Sequence, residues 1–301
     1  MKKTSRSLGI ALLAAGIVMV LGVVLLLMSD KSVEDSLLDT VEESTTTTPA
    51  VSDFRTETLG TSVEGRLIQA FIYGRGDTHL LFVGGIHGGY EWNSTLLAYQ
   101  LIDYLEANPG TLPAGLSVSI VPTANPDGLY GVVGTSGRFT PADVSVDDTV
   151  LAAGRFNAND VDLNRNFACN WASESSWRGQ TVSAGTSAFS EPEAQAIRNY
   201  VLNSLPDAAV FFHSAAGAVY GAACDGVLGP GTKRLLDTYA RASGYRAVDL
   251  FTAYPITGDV ESWLTSIGIP AVSVELTNHT DVELQKNLAG IKALFDHYNQ
   301  K

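Results

Sequence analysis

The chain has 301 residues, of which 45% are hydrophobic and 17% charged, with 29 Gly and only 2 Cys. Scarce cysteine excludes a disulfide scaffold, and glycine without a period of three excludes a collagen-like rod. A balance of 32 acidic against 19 basic residues, net charge −13, with no basic cluster, excludes nucleic acid as a partner. In chain order, Lys2, Lys3 and Arg6 precede an uncharged apolar run from Leu8 to Met28. That run can cross a bilayer core of about 30 Å as a helix, and its basic flank puts the N-terminus in the cytoplasm. Residues 1–29 are therefore read as an N-terminal membrane anchor, giving a single-pass cell-membrane protein with an exported body. The alternative is a cleaved signal peptide and a secreted product, although the run exceeds the usual h-region and no A-x-A site follows. Residues 30–52 are acidic, rich in Ser and Thr and nearly free of aromatics. They cannot bury enough apolar surface to offset chain entropy and read as a disordered stalk. The remainder, 53–301, is long enough for one large domain with its own core.

Within that domain, strands and helices alternate. Leu67–Tyr73, Leu80–Gly84, Leu116–Pro122, Ala208–Phe212 and Ala271–Leu276 read as strands, several of them continuous apolar runs. Trp92–Leu105 shows a helical apolar face at Leu97, Leu101 and Leu105. Ser190 reads as an N-cap, with Pro192 in the first turn and Glu193 completing a capping box for a helix to Leu202. Lys233–Ala242 and Asp281–Asn299 are the remaining helices. This order predicts an α/β fold, a three-layer α/β/α unit with a mixed, mostly parallel sheet. Ligands in such folds bind at the carboxyl ends of strands, and His87, Asn125, His213 and Glu275 all fall there.

His87 and Glu91 lie close together in GGIHGGYEWN, and His213 ends a buried strand in FFHS. Two His and one Glu form a catalytic zinc set that leaves a fourth position for water. Any one of these histidines alone reads as an ordinary hydrogen-bonded strand-end residue. The segment from Arg155 to Phe167, RFNANDVDLNRNF, packs two arginines, four asparagines and two aspartates together. Arg165 there sits among apolar neighbours, and its forked donor suits carboxylates.

Together the segments LGTSVEGRLI, GGIHGGYEWN, NPDG, RFNANDVDLNRNF, FSEPEAQAI, YPITGDVESW and SVEL resemble the zinc carboxypeptidases of the M14 (metallocarboxypeptidase) type. The resemblance runs from about Leu59 to Leu294, and is nearest the short bacterial branch that includes murein-peptide amidases. It implies one Zn2+ per chain, held by His87, Glu91 and His213. It makes Glu275 the general base toward the zinc-bound water and Arg155 the oxyanion stabiliser. Asn164 and Arg165 would clamp the substrate's terminal carboxylate, and Tyr254, ahead of Trp263 at the family's spacing, would close over it. Asp162 would accept a hydrogen bond from His87 and fix its tautomer. Glu261 occupies the position at the base of the side-chain pocket, where an acid would favour a cationic terminal residue; a solvated helix-start glutamate is the alternative. Cys169 and Cys224 follow functional segments and would pair in an exported domain.

One feature departs from the family: three residues, Gly88, Gly89 and Tyr90, separate His87 from Glu91 where the motif has two. A glycine bulge or helical i, i+4 spacing would keep both on the metal. The reading is a zinc-dependent metallocarboxypeptidase that hydrolyses the C-terminal amide bond of peptides and acts as a monomer. A murein-peptide amidase cleaving γ-D-glutamyl–diaminopimelate is the alternative, so the partner is a peptide or muropeptide with a free carboxylate. A deacylase or esterase on small acyl amino acids, and a non-catalytic peptide-binding pseudoenzyme, are more distant.

Overall fold

Four consecutive strand cores, Leu80–Val83, Val118–Val121, Ala208–Phe212 and Ala271–Val274, are almost wholly buried and apolar, the signature of strands covered on both faces. The computed structural model describes residues 53–300. The proposed anchor and stalk lie outside them, and among the described residues no helix is long and apolar enough to cross a membrane.

Ten strands form, in chain order β1 (Phe54–Thr61), β2 (Leu67–Gly74), β3 (Thr78–Val83), β4 (Leu116–Val121), β5 (Glu174–Trp177), β6 (Gln180–Ser183), β7 (Ala208–Ser214), β8 (Ala218–Gly221), β9 (Arg246–Val248) and β10 (Ala271–Leu276). Seven α-helices accompany them among the described residues: α1 (Trp92–Ala107), α2 (Pro126–Val133), α3 (Asp148–Ala153), α4 (Pro192–Ser204), α5 (Pro230–Ser243), α6 (Val260–Ser266) and α7 (Leu284–Tyr298). Eight strands make one sheet in the order β1-β2-β4-β3-β7-β10-β8-β9, while β5 and β6 form a separate hairpin. Pairings through β4-β3-β7-β10 and β8-β9 are parallel, and β1-β2, β2-β4 and β10-β8 are antiparallel. The sheet is therefore mixed, with its parallel centre at β3, β7 and β10.

Alternate residues of each central strand feed two cores. On one face Phe82, Val118, Val210, Phe212 and Val274 pack against α1, α5 and α7. On the other, Leu81, Val83, Phe211 and Ala271 pack against α4 and α6. The Phe82 and Phe212 rings stack with centroids 6.1 Å apart at the centre of the first core, where truncating either to Ala would cost about 3–5 kcal/mol.

Two local expectations change. The N-cap position of helix α4 is Glu191 and not Ser190, with no side-chain capping bond and Pro192 in the first turn. Ser190 Oγ instead donates to Glu191 Oε1 at 2.7 Å. Glu193 accepts from Val63 N and Asn157 Nδ2, so tertiary partners displace the local capping box. Strand β7 also runs two residues past Phe212, which places His213 inside the ladder.

Candidate metal centre and substrate cleft

Strand β3 stops at Val83, and the chain turns through Gly84 and Gly85 before His87. A single 3-10 turn, Gly88–Glu91, then leads into α1. Gly88 has φ +45°, and a Cβ there would stand 2.5 Å from the Gly154 carbonyl oxygen, so only glycine fits. This turn absorbs the extra residue: it combines a left-handed glycine with i, i+4 spacing. His87 Nδ1 comes to rest 2.9 Å from Glu91 Oε1. His213 Nδ1, from the end of β7, lies 3.0 Å from Glu91 Oε2 and 3.3 Å from His87 Nδ1. All three side chains are buried, and their ligand atoms lie within 4.8 Å of one another.

The donor set fits zinc. Each imidazole turns its Nε2 toward a carboxylate: His213 Nε2 is 3.0 Å from Glu261 Oε1, and His87 Nε2 is 3.5 Å from Asp162 Oδ1. The Glu261 carboxylate at His213 Nε2 would hold the proton there and leave that ring's Nδ1 lone pair for a cation. The bond expected from His87 to Asp162, by contrast, is not formed, and the buried His87 Nε2 has no hydrogen-bond partner among the described residues. Burial raises the Glu91 carboxyl, but His87 and His213 overcome it and hold the group well below the ordinary range. The result is two imidazoles and one carboxylate converging in a buried site, a donor set of the kind that binds zinc.

Across the β7–β10 ladder Glu275 is the register partner of His213. Burial first, and then the Glu91 charge, push its carboxyl up to about 7. Arg155 is buried beside it. Its Nε and Nη2 donate to Asp162 Oδ2 at 2.9 and 2.8 Å, and Nη1 stands 3.8 Å from Glu91 Oε1. Asp162 thus makes its shorter bonds to Arg155, and its approach to His87 is the longer one.

Asn164 and Arg165 follow on a short 3-10 turn. Asn164 Oδ1 accepts from Val260 N at 2.9 Å. Arg165 Nη1 donates to the Asn164 carbonyl at 2.6 Å, while its buried Nε has no protein partner. Tyr254 stands at the mouth, 38% exposed, against Phe251. The Cys169–Cys224 disulfide is formed, with Cα atoms 5.6 Å apart. The Cys169 carbonyl accepts from Gly258 N, one residue before the cap of α6.

Glu261 lines the cleft and is not solvated, which overturns the alternative of a helix-start glutamate in water. Its carboxylate is 2% exposed and is bonded to His213 Nε2, to Ser273 Oγ at 2.7 Å and to Asn164 Nδ2 at 3.4 Å. Asp259, two residues earlier, performs the helix cap, accepting from Ser262 N. With its oxygens committed, Glu261 is a partner of the metal ligand.

The cleft, about 960 Å³, also gains residues the sequence analysis did not single out. Tyr90, Trp177 and Arg178 form one wall; Trp177 and Arg178 come from the β5–β6 hairpin. His279 lines the cleft as well, with its Nδ1 2.9 Å from Ser214 Oγ and its ring 4.8 Å from that of Tyr90. The signal for the hairpin was weak: WRGQ with one glycine, between two short polar strands.

Comparison with known proteins gives a consistent picture. The family model described as zinc carboxypeptidase matches residues 41–281. The chain is 24% identical over 249 residues to gamma-D-glutamyl-L-diamino acid endopeptidase 1 of Lysinibacillus sphaericus, covering 74% of this chain and 60% of that protein. It is 29% identical over 126 residues to carboxypeptidase D of Mus musculus, covering 38% of this chain and 8% of that protein. The chain therefore spans less than two thirds of the length of these relatives. Among solved structures, carboxypeptidase A from Helicoverpa armigera superposes with a TM-score of 0.64 at 19% identity, covering 82% of this chain and 68% of that one. Murein-tripeptide amidase from Escherichia coli O157 does so with a TM-score of 0.55 at 21% identity, covering 81% and 91%. The likeness to these structures is one of fold.

Proposed function

The chain belongs to the zinc carboxypeptidase family, and from that premise we propose that it is a metal-dependent hydrolase of the amide bond next to a free carboxylate. One observation carries the reading: His87, Glu91 and His213 converge in the same cleft as Glu275, Arg155 and Arg165. His87 Nδ1, Glu91 and His213 Nδ1 would hold the ion. When bound, zinc supplies Lewis acidity, acidifying a water and polarising the scissile carbonyl.

The remaining steps belong to the protein. Arg165, with its unpartnered buried Nε, and Asn164 receive the substrate's carboxylate. This orients the amide toward the centre and fixes which bond is presented. Glu275, with its carboxyl raised by burial, takes a proton at its carboxylate from the attacking water and returns it to the departing amine. Arg155, locked by Asp162, offers its Nη1 to the developing oxyanion without reorganising. Tyr254 and Phe251 at the mouth limit water entry.

The leading substrate is the C-terminal residue of a peptide. The muropeptide reading is supported by the Lysinibacillus relative, whose name denotes a γ-D-glutamyl bond. The apolar run from Leu8 to Met28 supports a membrane-held protein with an exported catalytic unit, and the Cys169–Cys224 disulfide suits an oxidising compartment. Purified protein should carry about one zinc per chain and lose it on His213→Ala. A peptide and a γ-glutamyl–diaminopimelate substrate assayed side by side separate the two substrate classes. Absence of metal uptake together with no cleavage of either would sink the proposal.

A further inference from the structure

Strands β5 and β6 are joined by a two-residue turn, Arg178-Gly179, with Trp177 paired to Gln180. Both turn residues have positive φ, 51° for Arg178 and 75° for Gly179. Such type I′ turns favour Asn, Asp or Gly at their first position, and a non-glycine residue there is uncommon. The hairpin thus holds a long cationic side chain where local preference is against it. Residues kept in disfavoured conformations cluster at functional sites.

What surrounds Arg178 adds a second observation. Its guanidinium lies 5.8 Å from the Tyr90 ring centre and 5.6 Å from that of Trp177, on the wall of the cleft. Trp177 is shared with Arg155, whose guanidinium is 4.8 Å from its ring. Arg155 is neutralised by Asp162 and Arg66 by Asp127. Arg178, by contrast, has rings and no carboxylate beside it among the described residues. It is an unpaired charge facing the cleft of a chain whose net charge is −13.

The position within the cleft matters. Arg165 sits with Asn164, Asp259 and Glu261, the side that receives the leaving residue's carboxylate. Arg178 sits with Tyr90, His279 and Arg155. Tyr90 directly precedes the candidate ligand Glu91, so this wall adjoins the metal centre and is formed by residues other than those around Arg165. A substrate clamped at Arg165 and reacting at the centre lays its acyl-side residue along it.

We propose that Arg178 forms a carboxylate-reading subsite on the acyl side of the scissile bond, so that the protein favours substrates whose acyl-side residue carries a free carboxylate. The inference rests on the hydrolase reading above and specifies its substrate class. Two linkages present this chemistry: an α-linked glutamate has a free side-chain carboxylate, and a γ-linked glutamate has a free α-carboxylate. Arg suits either because its fork matches a carboxylate geometrically and a guanidinium is more weakly hydrated than an ammonium.

The test uses the full-length zinc-loaded protein and four N-acylated substrates, α-linked and γ-linked, each as the free carboxylate and as its carboxamide. The carboxylate member of at least one pair should be favoured by about tenfold in kcat/KM, mainly through KM. Arg178→Ala should bring that ratio to about one while the carboxamide keeps its rate, and Arg178→Lys should restore part of it. The pair that responds identifies the linkage. A ratio unchanged by Arg178→Ala, or an equal fall on both members, would overturn the subsite. If the native protein cleaves none of the four, the hydrolase reading fails for these substrates. The subsite is then read from calorimetric affinities for the same compounds: an affinity ratio lost in Arg178→Ala upholds it, and an unchanged one overturns it.

Discussion

Glu261 Oε1 lies 3.0 Å from His213 Nε2, and the same carboxylate reaches Asn164 at 3.4 Å. The candidate metal ligand His213 and Asn164, proposed to receive the substrate's carboxylate, therefore share one buried anion. Partners of this kind fix the tautomer and orientation of a ligating imidazole, and their loss typically lowers metal affinity about 10–100-fold. Glu261→Gln should show a loss in that range by chelator competition, with the fold retained by circular dichroism. Unchanged affinity would return Glu261 to a role in the substrate pocket.

Glu275 is pushed up to about 7 by burial. A general base acts deprotonated, so kcat/KM should rise with pH through its pKa. A cation bound nearby favours the carboxylate and moves that limb down. The acid limb is therefore expected at or below about pH 7, measured on the loaded enzyme. Glu275→Gln should lower turnover about 10²–10⁴-fold while zinc content stays the same. A variant that kept native turnover would remove Glu275 from the base role.

Gly88 has φ +45° and no room for a Cβ. Gly88→Ala should destabilise the fold by more than about 1 kcal/mol, because its strain and clash exceed the gain usual for such a change. Zinc affinity should fall with it, since the turn that carries Glu91 must shift. Thermal unfolding and metal titration of the variant check both effects, and native values in both would show the turn to be dispensable.

The Cys169–Cys224 bond joins residues 55 apart in sequence. Loop-closure entropy gives a bridge of this span about 2–4 kcal/mol of stability. Replacing both cysteines by Ala should lower the unfolding free energy by that order in denaturant titration. It should also loosen the Gly258 contact that precedes α6, seen as faster amide exchange there.

Much of the residue set that the cleft brings together was legible because it sits at the ends of buried strands. Val83, Phe212 and Val274 close apolar runs, and the polar residue that follows or interrupts each run stands out. The solvated alternative for Glu261 fails, although a carboxylate in the first turn of a helix ordinarily faces water or the dipole. Only the tertiary fold brings His213 to it. The Ser190 cap failed for a similar reason: Asn157 and Val63, distant in sequence, compete for the same carboxylates. Strands β8 and β9 are too short to show periodicity, and the β5–β6 hairpin is polar on both faces. The wall bearing Arg178 therefore left little trace in the hydrophobic pattern.

The pairing of Glu275 with His213 in adjacent strands also limits how this chain can vary. Successive side chains along a strand alternate between faces, so a one-residue insertion or deletion within β7 or β10 would swing one partner into the opposite layer. Length changes in these two strands can preserve the centre only if they keep parity, whereas a connection that carries no site residue is not bound by that rule. Substrate range in this lineage can thus drift through the loops while the reaction chemistry stays locked to an odd–even rule in the sheet.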